Sequence, residues 1–460
     1  MLEENELLLE EQDDLPRAKV TPTPTSTLCK LWKFFFSFLL LVVISVWIMF
    51  TLFPHSKSKK WLTTQDSKRV KDLETSLYSK NCSLLQQVNA TSKWSGFKEI
   101  VPGTIFYSAF YDDTDPNSPF VRIIAISETF RPPRILCHSR CDLAQTEEAV
   151  FHLVKDHKNR RHAAFIVSCT FPRGLGREPG FIDISAEYDD KMIEVTRYPV
   201  QSTNDVSHIH NYTICVPPLY GSILLTKFIE FIELNRVFGA THFVFYDLKL
   251  NPAIRHAINI YQSQGVVTLL PWNLPVYLRD FYSIHYHGQF VAIHDCLYRN
   301  RGRSRWVGFH DLDEFIVPLL HSTLPMLLNE IDSGHSSGFC VQSTVFPLNS
   351  QEKVQANESL ITQSILYRTK KVFHKSREKC IVNPRKVFEM SIHYIVKSSS
   401  ARYEKSSIDP KKALVFHYRR CVQFDDLKAA CKSLVPEKFM KRYKTRLKLR
   451  VDHVMEHLNG

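Results

Sequence analysis

The sequence predicts an α/β fold, a mixed and mostly parallel sheet covered by helices, preceded by a β-rich accessory region and a single N-terminal transmembrane helix. Three observations predict it. From about Asn211 onward, short apolar runs alternate with segments of helical periodicity, the pattern of consecutive β-α units. Between Phe97 and about Val200, short apolar runs such as "TIFYSAFY", "FVRIIAIS" and "AAFIVSC" are separated by turn-forming clusters such as "DDTDPNSP", which reads as β structure. Phe34 to Phe53 holds no charge and is apolar on every face. Twenty residues of helix span about 30 Å, the thickness of a bilayer's hydrocarbon core.

Taken in order, residues 1–33 read as a cytosolic tail, acidic and then Thr/Pro-rich. Residues 34–53 form an uncleaved signal anchor, because the run exceeds a signal peptide's apolar region and ends in Phe53, Pro54 and His55. The flanking charges alone orient it the other way: Arg17, Lys19, Lys30 and Lys33 precede it, and Lys57, Lys59, Lys60, Lys68, Arg69 and Lys71 follow. The sequons and cysteines outweigh them. All four Asn-x-Ser/Thr sequons, at Asn81, Asn89, Asn211 and Asn357, follow the span, as do ten of the eleven cysteines, which suits an oxidising lumen. Cys137-x-x-x-Cys141 lacks a second ligand pair and makes a poor zinc site. Residues 54–96 read as a polar stem and 97–204 as the accessory region.

A domain over residues 205–430 follows. "TICVPPL" is a strand, Ser222 caps a helix whose Leu224, Phe228, Phe231 and Ile232 share a face, and Gly239 ends it. "HFVFY" is the next strand. Asn251 as cap and Pro252 at the first helical position open a second helix that stops at Gly265. "VVTLLPW", a third helix over 287–302 and the strand "RWVGF" complete the alternation, and ligands are expected beyond the carboxyl ends of such strands. Residues 431–460 predict a basic helix, read mainly as a solvated face.

The net charge of +12 splits into −3 for residues 1–33, with seven acids and four bases, and +15 for the rest. A basic lumenal domain suits a polyanion such as a nucleoside diphosphate, and the lumen excludes nucleic acid. Neither Gly-x-x-x-x-Gly-Lys-Ser/Thr nor Gly-x-Gly-x-x-Gly occurs, so a diphosphate must be neutralised by something other than a glycine-rich phosphate loop.

"RWVGFHDLDEFIVP" supplies a candidate. The strand runs into Asp311, Asp313 and Glu314, and hydrophobicity resumes at once. Continued as a strand, Asp311 and Asp313 at i and i+2 point the same way and share one hard cation, Mg²⁺ or Mn²⁺, with phosphate oxygens, while Glu314 faces opposite to Asp313. A rival pair, Asp113 and Asp115, sits among Pro and Asn and reads as a turn.

"FHDLDEFIVP", "YHGQFVAIHDCLYRN" and "FIEFIELNRVFGATHFVFYD", with "SIHYIV" and "ALVFHYRR" downstream, resemble glycosyltransferase family 92 over roughly Cys215 to Cys421. The resemblance implies a GT-A fold in a type II Golgi membrane protein, and a β-galactosyltransferase that inverts configuration, uses UDP-galactose and Mn²⁺, and extends N-glycans of glycoproteins. It makes Asp311 and Asp313 ligands of metal and UDP-sugar, with His417 or His393 completing the metal shell and His417 preferred. Asp247, at the end of the second strand, becomes a partner for uracil or ribose; its alternative is a loop-start Asp. His310 is a candidate for the sugar pocket. Arg299, Arg301, Arg303 and Arg305 read mostly as solvated charge.

The base that deprotonates the acceptor hydroxyl is open among Glu352, Glu378, Glu389, Asp409, Asp425 and Asp426. Two alternatives stand beside the leading reading: another UDP-sugar donor, or a membrane-anchored glycan-binding protein without catalysis. Acceptor, linkage, disulfide pairing and oligomeric state, a homodimer included, are not read from the residues.

Overall fold

The computed structural model describes residues 96–115, 118–138, 146–170, 179–188, 191–203, 209–280, 282–348, 360–375, 377–422 and 424–459. The expected tail, membrane span and most of the stem lie outside them, as do Asn81, Asn89, Asn357, Cys29, Cys82, Cys141 and Glu352. No helix among the described residues is long and apolar enough to cross a membrane.

Among the described residues from 96 to 203, the N-terminal part, the regular elements are strands, as the short runs and turn clusters predict. Its strands are β1 (Lys98–Val101), β2 (Thr104–Asp112), β3 (Phe120–Glu128), β4 (Arg134–His138), β5 (Thr146–Glu148), β6 (Val150–Leu153), β7 (His162–Thr170), β8 (Phe181–Tyr188) and β9 (Lys191–Pro199). They form two antiparallel sheets, in the orders β1-β2-β3-β7-β6 and β5-β4-β8-β9. Phe106, Val121, Ile123, Phe165, Ile184 and Tyr198 fill the space between them. The Cys137–Cys169 disulfide joins β4 to β7 across it.

The second part is mixed α/β. Its first strands are β10 (His210–Cys215), β11 (His242–Asp247), β12 (Val267–Pro271) and β13 (Ser304–Phe309), and its first helices are α1 (Leu225–Val237), α2 (Pro252–Ser263) and α3 (Gln289–Arg299). The strands pair in parallel in the order β12-β11-β10-β13. Alternate residues of β11 enter different cores: Phe243 and Phe245 pack with α1 and α2, whereas Val244 and Tyr246 pack with α3. A strand apolar on both sides is what a doubly covered parallel sheet requires. Ile105, Tyr107, Ile124 and Ile166 of the first part join that second core, so the two parts share buried surface.

Then come β14 (Glu314–Pro318), α4 (Leu324–Ile331), β15 (Ser336–Val341), β16 (Ser343–Pro347), α5 (Ile361–Ser364), β17 (Tyr367–Thr369), β18 (Lys379–Val382), β19 (Val387–Met390), β20 (Ile395–Ser398), β21 (Glu404–Ser407), β22 (Ala413–Arg419), α6 (Asp425–Ala430), β23 (Leu434–Pro436) and α7 (Lys444–Asn459). The main sheet continues through β18, β15 and β21, with β18 antiparallel to β13, while β14-β22-β16 make a separate small sheet.

The caps follow the sequence in part. Asn251 accepts a hydrogen bond from the Ile254 N–H at 2.9 Å with Pro252 behind it, as expected. Ser222 does not cap α1, which starts at Leu225 without a side-chain cap; Leu224 is exposed, and nearly the whole second half of the helix is buried. Packing on several sides replaces the capping bond. The last helix also differs from expectation. Leu447, Val451 and Val454 of α7 are buried, and Arg450 bonds Glu233 of α1 at 2.7 Å, so it docks on this domain instead of presenting only a solvated face.

Candidate functional site

The parallel strands deliver their carboxyl ends to one edge of the sheet, and the chain turns there after β13. His310 to Asp313 lie outside any strand, and the Glu314 N–H donates to the Asp311 carbonyl at 3.1 Å. This corrects the extended reading of Asp-x-Asp. In a turn the i and i+2 side chains need not be parallel, and here they part: Asp311 Oδ2 lies 3.1 Å from Lys379 Nζ, whereas Asp313 Oδ2 lies 3.4 Å from His417 Nε2.

Glu314, expected to face away, is the hub. Pairing of β14 with β22 sets Glu314 opposite His417, whose Nδ1 lies 3.4 Å from Glu314 Oε1. Glu314 Oε2 lies 2.9 Å from Lys379 Nζ and accepts the Asp311 N–H at 3.0 Å. Burial raises the Glu314 pKa, with Asp311 and Asp313 adding to the rise, and the charges of Lys379 and His417 oppose it. Burial also works against ionisation of Asp313, but His417, with smaller contributions from the charges of Lys227 and Arg419, outweighs it and holds that carboxyl well below its usual range. Lys379 is held above the usual lysine value: burial opposes its charge, and Asp311 and Glu314 overcome the opposition.

Beside this cluster is a cavity lined by Cys215 at the end of β10, Val216 and Pro217 after it, Gln289, Ala292 and Ile293 of α3, and Phe309, His310, Asp311, Lys379 and Ile392. The Cys215–Cys296 disulfide fixes the strand to the helix at its wall. Gly308, just before the turn, is required for packing, since a Cβ there would run into the Tyr212 side chain. His310 lines the cavity, bonds the Glu314 carbonyl through Nδ1 at 2.9 Å, and is pushed down to about 4 by burial.

The structure thus pairs Asp313 with His417 and Asp311 with Lys379, and links the two pairs through Glu314. His393 lies on a different contact, its Nδ1 donating to the Glu378 carbonyl at 3.0 Å. Asp247 ends β11 on the same carboxyl edge, one strand beyond β10. Its carboxylate is engaged by Arg255 at 2.6 Å and by the Leu250 N–H at 3.1 Å, as a loop-start Asp would be.

Arg299 and Arg301 overturn the solvated reading. Arg299 pairs with Asp295 at 2.8 Å, and Arg301, 1% exposed, pairs with Asp112 at 2.7 Å and donates to the Pro384 and Val387 carbonyls. Arg303 and Arg305 are exposed at the amino end of β13, the edge opposite the carboxylates. The rival Asp113 bonds Arg385 at 2.8 Å, and the Asp115 carbonyl closes a turn with the Ser118 N–H.

Among the base candidates, Glu378 is held by His374, and buried Glu389 by His152 and the Lys155 N–H. Asp409 caps a turn, and Asp425 and Asp426 are exposed in the first turn of α6. Lys379 was not foreseen; its one sequence signal is a lysine heading the apolar strand "KCIV".

The donor chemistry suits a hard divalent cation. Ligands at about 2.1 Å and right angles stand about 3 Å apart, close to the 3.4 Å between Asp313 Oδ2 and His417 Nε2. Asp311, 41% exposed in the same turn, is a third donor and the second oxygen, but is bonded to Lys379. Accordingly no group of three or more His, Cys, Asp or Glu side chains among the described residues is already gathered as a metal centre.

The family model of glycosyltransferase family 92 matches residues 210–459, more than half of the chain. The chain belongs to glycosyltransferase family 92. The matched span runs from β10 through α7, so this family's domain includes the docked C-terminal helix.

A beta-1,4-galactosyltransferase of Caenorhabditis elegans, galt-1, is 26% identical over 326 residues, covering 68% of this chain and 73% of that protein. The galactan beta-1,4-galactosyltransferase GALS2 of Arabidopsis thaliana is 24% identical over 286 residues, covering 56% of this chain and 53% of the plant protein. Family 92 protein F13G3.3 of C. elegans is 23% identical over 224 residues, 47% of this chain and 43% of its own length.

Proposed function

We propose that this family 92 protein is a metal-dependent galactosyltransferase of GT-A type that transfers galactose from UDP-galactose to a glycan, with a β-linkage and inversion. The observation that carries the reading is the cluster of Asp311, Asp313, Glu314, His417 and Lys379 beside a cavity at the carboxyl edge of the parallel strands. The names of the worm and plant relatives supply the sugar and support the linkage. An N-glycan acceptor and a type II Golgi protein with residues 34–53 as anchor complete the proposal, consistent with four disulfides among the described residues.

In this reading Asp311, Asp313 and His417 hold Mn²⁺, which supplies positive charge to the leaving diphosphate. The chain's own residues do the rest. His310 and Gln289 line the cavity beside the metal ligands. Lys227 and Arg419 add positive potential around Asp313, so the anion meets fixed charges in place of a glycine-rich loop. Glu314 fixes the turn by taking the Asp311 N–H. The acceptor hydroxyl attacks the anomeric carbon from the side opposite the diphosphate, and its proton goes to a carboxylate.

The test is calorimetry of UDP binding to the full chain with and without Mn²⁺, followed by turnover with UDP-galactose, UDP-glucose and UDP-N-acetylhexosamines against a glycan panel. The expected result is Mn²⁺-dependent UDP binding, lost in Asp311→Asn/Asp313→Asn and kept in Asp113→Asn/Asp115→Asn, with turnover of UDP-galactose. Folded wild-type protein that binds no UDP in Mn²⁺ would overturn the transferase reading and leave a glycan-binding protein.

A further inference from the structure

Lys379 heads β18, and its side chain is 3% exposed. An ammonium in such a place needs a carboxylate partner, and Glu314, also 3% exposed and 2.9 Å away, is sufficient. Yet Lys379 also takes Asp311, at 3.1 Å. The two carboxylates are unlike. Glu314 is enclosed and further tied to the Asp311 N–H and to His417, whereas Asp311 is 41% exposed and lines the same cavity as Lys379. One partner is permanent and the other is accessible to a ligand.

We propose that Lys379 is a binding residue for the nucleoside diphosphate, one that pairs with Asp311 until a divalent cation takes that carboxylate and then turns its released N–H to a phosphate oxygen. The inference rests on the UDP-sugar reading of this site and deepens it. Asp311 passes from the ammonium to the cation; Glu314 keeps Lys379 anchored throughout. The ammonium has three donors, and the one that Asp311 gives up lies at the cavity lining, where an incoming diphosphate needs a cation. At Lys379 itself two carboxylates, Asp311 and Glu314, face one ammonium, and the divalent ion supplies the missing positive charge.

The experiment titrates the full chain with Mn²⁺ alone, and then with UDP at saturating Mn²⁺, for wild type, Lys379→Met/Glu314→Gln and Lys379→Arg, with thermal melting to confirm folding. The double variant removes one buried charge of each sign and keeps the local charge unchanged. It should bind Mn²⁺ at least as tightly as wild type, because Asp311 no longer has to leave an ammonium, and UDP about tenfold more weakly or worse. In Lys379→Arg the guanidinium grips carboxylates bidentately, so Mn²⁺ binding should weaken while UDP binding at saturating Mn²⁺ is retained.

Wild-type UDP affinity in the double variant would overturn the proposal. So would loss of Mn²⁺ and UDP binding together in the folded double variant, which would make Lys379 a structural cation only. If the double variant does not fold, unchanged Mn²⁺ affinity in Lys379→Arg is the overturning result. Wild-type protein that binds neither ligand would bring down the site reading itself, and the inference with it.

Discussion

Cys340 and Cys380 face each other across the antiparallel pair β15 and β18, with their Cα atoms 4.0 Å apart and a disulfide between them, and Cys380 is the immediate neighbour of Lys379. The bridge therefore clamps the strand that carries the buried ammonium. Replacing both residues, Cys340→Ala/Cys380→Ala, should cost about 2–5 kcal/mol in urea unfolding. It should also weaken Mn²⁺-dependent UDP binding, because the start of β18 loses its fixed register. Unchanged UDP affinity alongside the lost stability would mean that the clamp serves the fold alone.

His417 and His393 are the two histidines proposed for the metal shell, and the structure gives them different partners. His417 reaches Asp313 at 3.4 Å, while His393 donates to the Glu378 backbone, and burial, aided by the charge of Lys379, pushes it down to about 3. His417→Ala should therefore reduce Mn²⁺ affinity about tenfold or more, and His393→Gln should change it by less than about threefold. The reverse order, measured by Mn²⁺ titration followed by electron paramagnetic resonance, would move the third ligand to His393.

The alternation of strand and helix was legible because its punctuation is local: Asn251-Pro252 opens α2, and Gly239 and Gly265 take positive φ after α1 and α2. The carboxylates were legible as a site because charge interrupts an apolar run there. Their arrangement was not. A turn beginning at Asp311 depends on a 3.1 Å backbone bond, and the role of Glu314 depends on pairing with β22, about a hundred residues later. Lys379 is separated from Asp311 by 68 positions, and no periodicity links the two. Arg301 was misread for the same reason, since its partners Asp112, Pro384 and Val387 are all distant in sequence.

Those partners make Arg301 a joint between the β-rich part, through Asp112, and the segment that leads into β19, through Pro384 and Val387. Arg122 shares Asp112 at 2.8 Å, and the two guanidinium groups outweigh the burial that opposes ionisation, which keeps that carboxyl well below its usual range. Arg301→Met leaves Asp112 with one cation and two carbonyls without a donor, so a loss of about 3–5 kcal/mol is expected. Arg301→Lys should recover less than half of it, because an ammonium cannot reproduce the fork that reaches a carboxylate and two carbonyls. Denaturant unfolding checks both, and a lysine variant as stable as wild type would contradict the fork argument.

A buried histidine gives the stability a pH dependence. His294 of α3 bonds the Phe290 carbonyl through Nδ1 at 2.7 Å and accepts the Met390 N–H at Nε2 at 3.2 Å, so it must carry its proton on Nδ1 and remain neutral. Burial pushes it down to about 4 from 6.5. The unfolded chain then binds more protons than the folded one between those values, so stability is full above pH 6.5 and is lost as the pH falls towards 4. A shift of that size corresponds to about 3 kcal/mol. His242, pushed down to about 4 by burial and by His210, adds a loss of the same sign. Urea unfolding at pH 7.5, 6 and 5 should show a steady fall for wild type. His294→Gln should start lower at pH 7.5, having lost one of the two bonds, and fall less steeply. Parallel curves for the two proteins would show that His294 does not titrate with unfolding, and that the acid sensitivity resides elsewhere.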